Sequence, residues 1–238
     1  MKDFRRTGLA AVMIMAAATT ATAQNEVEAT VSADVVNQYI WRGTECGETS
    51  LQPTVGLAYK GISLTAWGST ELGDWGGAKE FDLTLGYGIG GLNIGVTDYW
   101  FSSGGDPEGR YFMYKSHSTN HVFEANIGYD FGPVAVQWYT NFAGNDGVKG
   151  DGKRAYSSYV EVSAPFKLGG LDWTAAVGAS PLESTLYGND GFAVTNVALK
   201  ATKDIRITPS FSVPVFAGVV ANPNTEKVYL LCGFTLKP

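Results

Sequence analysis

The chain has 238 residues, 45% of them hydrophobic and 13% aromatic, with 30 glycines and a formal charge of −6. An acidic chain with no basic runs argues against nucleic acid as a partner. No stretch beyond the N-terminal segment reaches the ~18 to 20 continuous apolar residues of a membrane helix, so a soluble sandwich and a membrane barrel are the classes left open.

The first segment reads as an export signal. Lys2, Arg5 and Arg6 give a positive start, Gly8 to Ala18 an apolar middle, and Ala21-Thr22-Ala23 a small-residue cleavage site. The expected organisation is therefore a signal over residues 1–23 and a single barrel domain over 24–238. The residue after the cut is Gln24 rather than Cys, so no lipid anchor is expected.

From residue 27 onward apolar side chains recur with a period of two. In the stretch from Phe81 to Val96, Phe81, Leu83, Leu85, Tyr87 and Ile89 share one face, and Asp82, Thr84, Gly86 and Gly88 the other. Such alternation marks a strand that is wet on one side only. Twelve strands are predicted, over 27–43, 51–59, 62–70, 79–89, 92–101, 121–131, 134–142, 154–166, 171–179, 191–201, 205–219 and 226–236. Tight turns are expected at Lys60-Gly61, Gly90-Gly91, Gly132-Pro133, 167–170 and 202–204. The connections between these hairpins are longer and more polar, the longest spanning 102–120. Short turns on one rim and long loops on the other define an up-and-down transmembrane β-barrel. An even strand number places both termini on the short-turn, periplasmic side.

Aromatics gather at both strand ends. Tyr59, Tyr87, Tyr129 and Phe166 precede tight turns, while Trp67, Trp100, Trp138, Tyr139 and Phe142 lie towards the opposite ends, as interfacial girdles do. With apolar side chains facing lipid, Asp34, Asp82, Glu124 and Glu161 turn inward, with Arg42 near the long-loop rim and Arg206 as a second inward cation. These acids and Arg42 are the lumen-lining candidates. Small inward residues (Gly86, Gly88, Gly128, Gly178) are expected to keep the interior open. No clean face emerges for 191–201.

In the longest loop Asp106, Glu108 and Arg110 are candidates for a constriction if the loop folds inward; lying over the outer surface is the expected course. His117 and His121 stand at i and i+4, but without a helix signal or neighbouring Cys they make a weak metal pair. No nucleophile-elbow motif holds a serine for a triad. The glycines at 86–91 precede another strand rather than the helix a phosphate loop requires. No catalytic residue, cofactor or metal is expected. Cys46 and Cys232 are expected as separate thiols.

The stretch Asp34-Val35-Val36-Asn37-Gln38-Tyr39-Ile40-Trp41-Arg42-Gly43, followed after a short loop by Leu51-Gln52-Pro53-Thr54-Val55-Gly56, resembles the opening of the TorF-type porin (Gcw-chp) family of bacterial outer-membrane β-barrels. The resemblance implies pore activity, no catalytic residues, and for Arg42 a role anchoring the rim of the first strand. The chain departs from many such barrels at its end, where Thr-Leu-Lys-Pro follows Phe234. The expectation is a porin-like channel in the outer membrane of a Gram-negative bacterium. Its partners would be outer-membrane lipid and small polar solutes or ions, with cations favoured. The alternatives are a non-conducting structural or ligand-binding barrel and, third, a surface hydrolase.

Overall fold

The computed structural model describes residues 26–73, 79–102, 108–115 and 118–238. The export-signal reading, Asp106 and His117 fall outside these residues. Fourteen strands run in chain order: β1 (Glu28–Val36), β2 (Tyr39–Trp41), β3 (Thr44–Gly47), β4 (Ser50–Tyr59), β5 (Ile62–Glu71), β6 (Lys79–Ile89), β7 (Leu92–Phe101), β8 (His121–Asp130), β9 (Ala135–Gly144), β10 (Ser158–Leu168), β11 (Leu171–Ser180), β12 (Ala193–Thr208), β13 (Phe211–Asn222) and β14 (Lys227–Leu236). Twelve of them, β1 and β4 to β14, pair antiparallel into a closed barrel, with β1 joining β14 at Val35↔Phe234 and β4 at Val31↔Val55. Closure leaves no strand of the ring without a neighbour on either side.

The outer face is apolar. Leu85 is 58% exposed, Val31 56%, Ile127 53% and Leu230 69%, while their strand neighbours Asp82, Glu124 and Tyr229 are buried. Oily outside and polar inside inverts the arrangement of a soluble domain and defines a membrane-spanning barrel. Tyr59, Tyr87, Tyr129 and Phe166 stand exposed beside the short turns, as an interfacial girdle requires. Introducing Leu85→Arg into this face is expected to destabilise the folded barrel in vesicles by about 2 to 4 kcal/mol. Denaturant titration of the lipid-inserted protein measures it, and an unchanged midpoint would contradict the assigned face.

The observed barrel departs from the predicted elements in three places. The first strand stops at Val36 rather than Gly43, and residues 39–47 form a separate hairpin, β2–β3. The turn expected at 202–204 lies instead at Pro209-Ser210: Thr202, Lys203 and Asp204 pair in register with Phe216, Val215 and Pro214. Polar residues there extend a strand past the apolar band, where they no longer mark a turn; Pro-Ser supplies the turn chemistry. Finally, 191–201 lacks a clean face because of a bulge. Gly178 pairs with Asn196 and Ala179 with Val194, so Thr195 is the extra residue and both Thr195 and Asn196 are buried.

Candidate functional site

The interior is occupied by the β2–β3 hairpin. Ile40 packs with Val220, Tyr229 and Leu231, inward residues of β13 and β14, as an apolar cluster inside the barrel. Tyr39 lies 5.5 Å from Trp67, centroid to centroid, and the Gly43 carbonyl accepts a 2.9 Å hydrogen bond from Asn222 Nδ2. Trp67, predicted for the outer girdle, therefore faces inward, opposite the buried Asp82 in the register.

At the hairpin's tip Arg42 adopts a positive φ of 50° and reaches Glu124 on β8. Arg42 Nη1 donates to Glu124 Oε2 at 2.6 Å and Nη2 to Oε1 at 2.8 Å, a bidentate pair with side chains only 7% and 2% exposed. Tyr99 Oη donates to the same carboxylate at 2.8 Å, and Tyr187 Oη accepts from Arg42 Nη1 at 2.8 Å. The guanidinium sits over the rings of Tyr139 and Trp41 at 4.1 and 4.4 Å. Burial pulls the guanidinium down, but the Glu124 carboxylate together with the Tyr187 and Tyr99 hydroxyls holds Arg42 well above its ordinary value. Burial pushes the Tyr187 hydroxyl up, so it stays protonated beside the cation. Part of the Cys46 surface is exposed, yet desolvation and then the nearby Glu80 carboxyl push its thiol up to about 12. Cys46 and Cys232 are both free.

A second acid is tied into this network. Tyr159 Oη donates to Glu161 Oε2 at 2.7 Å, and Asn196 Nδ2 donates to both groups at 3.1 and 3.3 Å. The Tyr159 ring stacks 5.9 Å from that of Tyr187. Tyr187 belongs to the connection after β11, which clasps the connection after β9 through a 2.6 Å hydroxyl pair, Ser157 with Ser184. Asp34 stands apart at the β1–β14 seam, accepting from Thr235 Oγ1 at 2.6 Å. Of the lumen candidates, then, Arg42 and Glu124 are in contact and Glu161 is joined to them through tyrosines. Asp82 is fully buried nearby, and Asp34 is separate.

Three of the inward glycines, Gly86, Gly128 and Gly178, do not hold space open. A Cβ on Gly178 would fall 1.9 Å from Tyr159 Oη, and one on Gly128 would fall 2.0 Å from the Gln137 amide oxygen. Glycine at these positions lets a neighbouring side chain lie flat against the wall. Arg206, expected inside, instead donates to the Thr208 and Pro209 carbonyls of its own turn.

The described part of the long connection before β8, which carries Glu108 and Arg110, packs on the outside of the barrel through Tyr111. Its Tyr111 ring packs on Phe81 and Trp100 at 5.6 and 5.7 Å, both on the outward faces of β6 and β7. Glu108 and Arg110 pair with each other at 3.2 Å with exposed side chains. The anchor is His121: Nδ1 faces Asp98 Oδ1 at 2.7 Å and Nε2 faces the Tyr111 carbonyl at 2.5 Å, with Tyr114 stacked at 4.2 Å. The connection takes this course because aromatic rings are there to cover an Asp–His pair that lipid would otherwise touch. His121→Ala is expected to free the segment and speed tryptic cleavage at Arg110 or Lys115 about tenfold, equivalent to ~1.4 kcal/mol. An unchanged cleavage rate would rule out this anchor.

Among the described residues, no group of three or more His, Cys, Asp or Glu is placed to hold a metal ion. Sequence periodicity missed Tyr187 and Tyr99 as partners of the Arg42 pair, and Lys200 as an inward cation over Phe216 at 5.1 Å. Only the bulge at Thr195, invisible to a strict alternation, hid Lys200.

Fold and interior together define a twelve-stranded transmembrane β-barrel whose polar inside is braced by an inserted hairpin. No protein-family model matches the chain, and no curated protein does either. Among solved structures the chain is similar to the COG4313 outer membrane channel from Pseudomonas putida F1. Identity is 13%, 88% of this chain and 96% of that chain are covered, and the TM-score is 0.36. A likeness at that level carries no functional weight, and the architecture rests on the strand pairing given above.

Proposed function

We propose that the chain is an outer-membrane channel for passive diffusion of small polar solutes or ions, with cations favoured. The reading includes the export signal over residues 1–23, both termini on the periplasmic side, and the long connections at the cell surface. The observation that carries it is the charged interior: Asp34, Asp82, Glu124 and Glu161 inside an apolar shell, against Arg42 and Lys200. Such a lining attracts cations and rejects anions. Purified protein in a planar bilayer should give discrete conductance steps whose reversal potential in a salt gradient lies on the cation side. A silent bilayer, with the protein folded by its heat-dependent gel mobility, would remove the proposal.

The inserted hairpin favours a second reading. Ile40 in its apolar cluster and Arg42 in its aromatic nest fill space that an open pore would leave to water. A non-conducting structural or ligand-binding barrel fits those contacts. Deleting 39–47 distinguishes the two: a channel merely narrowed by the hairpin conducts in both forms, with larger steps in the deletion.

A further inference from the structure

The closing seam of the barrel is short. β14 pairs with β13 over eight positions, from Val215↔Phe234 to Asn222↔Lys227, but with β1 over four, from Ala33↔Leu236 to Val36↔Gly233. Asn37 extends the ladder by one step: its backbone N–H donates to the Cys232 carbonyl at 3.0 Å. Its side chain accepts from the Cys232 N–H at 2.7 Å and donates to the Leu230 carbonyl at 2.8 Å. There the wall stops. Alternate residues of a strand bond to the same side, so the Leu230 N–H and both backbone groups of Val228 face the same gap. No described residue bonds to them there. The Leu230 and Val228 side chains are 69% and 67% exposed, against 58% for Leu85, which has a strand on each side.

The missing partner is the inserted hairpin. The seam register, Val35↔Phe234, carried forward along both strands sets Tyr39 opposite Leu230 and Trp41 opposite Val228. The register of β1 with β4, Val35↔Leu51, carried forward sets Tyr39 opposite Gly47, the pairing that β2 and β3 keep inside the barrel. The β2–β3 hairpin is therefore the upper end of the β1–β4 hairpin, bent inward at 37–38 and 48–49 without a change of register at Tyr39. Straightened, it fits the wall. Tyr39 and Trp41 share the parity of the exposed Val31 and would stand outward as rim aromatics, while Arg42 keeps the inward parity of Asp34. Inside, the hairpin gains the Arg42–Glu124 pair and the Ile40 cluster. In the wall it would satisfy the backbone edge of β14, which lipid cannot.

We propose that the β2–β3 hairpin is a gate with two seats. In the lumen it narrows the pore; in the wall it pairs with Leu230 and Val228 of β14 and opens the pore. The inference rests on the channel reading and deepens it by naming the part that moves.

The test uses the folded full-length protein in detergent, carrying Cys46→Ser and Cys232→Ser so that introduced thiols stand alone. The probe is dibromobimane, which becomes fluorescent when it joins two neighbouring thiols. Inside the barrel Trp41 lies against Tyr99 and Tyr187, at 6.2 and 5.9 Å, whereas Val228 faces outward. The pair Trp41→Cys with Val228→Cys should nevertheless become fluorescent, and the crosslinked protein should stay at its larger conductance step in a planar bilayer. The pair Trp41→Cys with Val162→Cys, outward on β10 and distant from both seats, should stay dark. Heat-dependent gel mobility checks the fold of each variant. A dark Trp41–Val228 pair, equal labelling of both pairs, or crosslinked channels that conduct like uncrosslinked ones would overturn the gate. Val228→Pro is the second variant. The Val228 N–H bonds to no described residue, so proline is tolerated there while the hairpin is inside but blocks pairing in the wall. It should cut the time spent at the larger step at least about tenfold. Unchanged switching in Val228→Pro would overturn the gate even where the cysteine pair failed to fold.

Crosslinking is read without conductance, which separates this failure from failure of the channel reading. Fluorescence specific to the Trp41–Val228 pair with silent bilayers throughout supports the movement and removes the channel. Conductance without specific fluorescence supports the channel and removes the gate.

Discussion

Replacing Glu124 with alanine is expected to destabilise the barrel by about 3 to 5 kcal/mol, because it strands the Arg42 guanidinium in a buried site without its carboxylate. Arg42 would keep only the Tyr187 oxygen at 2.8 Å and the ring faces of Trp41, Tyr139 and Tyr159. Cation–π contacts contribute roughly 0.5 to 2 kcal/mol each and cannot replace a bidentate ion pair. The hairpin is then expected to leave the interior, which in a bilayer reads as larger or more frequent conductance steps. Denaturant midpoints in vesicles measure the stability loss.

The double replacement Arg42→Met with Glu124→Leu discriminates between two roles for the pair. A pair that serves chiefly to avoid an unmatched charge is recovered by two apolar side chains of similar volume, so the double variant should regain most of the stability. Conductance then separates packing from electrostatics. If the double variant is stable and conducts as wild type does, the hairpin is held by shape alone. A double variant no more stable than Glu124→Ala would show instead that the Tyr99 and Tyr187 hydrogen bonds depend on the charges and carry the coupling.

The barrel wall was legible in the sequence because its two faces meet different solvents. Leu85 and Tyr87 outward against Asp82 and Glu124 inward follow from alternation alone, and the structure places each where alternation put it. The hairpin was not legible for the same reason. Tyr39, Ile40 and Trp41 continue the apolar character of the first strand, so nothing local separates a strand that spans the wall from one that folds back inside it. The break is a tertiary effect: Arg42 finds Glu124, 82 residues away, and Ile40 finds the inward apolar patch of β13 and β14. The inward glycines misled for a related cause. A missing side chain looks like open space in a sequence, whereas Gly178 is a seat for Tyr159 and Gly128 for Gln137.

Gly43→Ala is expected to unseat the hairpin almost as effectively as loss of the ion pair, although it removes no contact. Gly43 has φ of +82°, where an L side chain is strained, and a Cβ built on it lies 1.8 Å from the Thr195 carbonyl oxygen. That neighbour is backbone in the bulge of β12 and cannot swing aside as a flexible side chain would. A left-handed conformation alone costs a non-glycine residue roughly 1 to 3 kcal/mol, and the overlap must be relieved by moving the hairpin off the wall. The 2.9 Å bond from Asn222 to the Gly43 carbonyl would be lost with that movement, stranding a buried amide. Together these set the expected loss at about 3 kcal/mol or more. Gly90→Ala supplies the control, since φ there is +57° with nothing within 4 Å of the added carbon. It should cost no more than the backbone strain, about 1 to 2 kcal/mol, and leave conductance unaltered. Equal stability losses and equal conductance in the two variants would show that the Gly43–Thr195 approach does not hold the hairpin in the barrel.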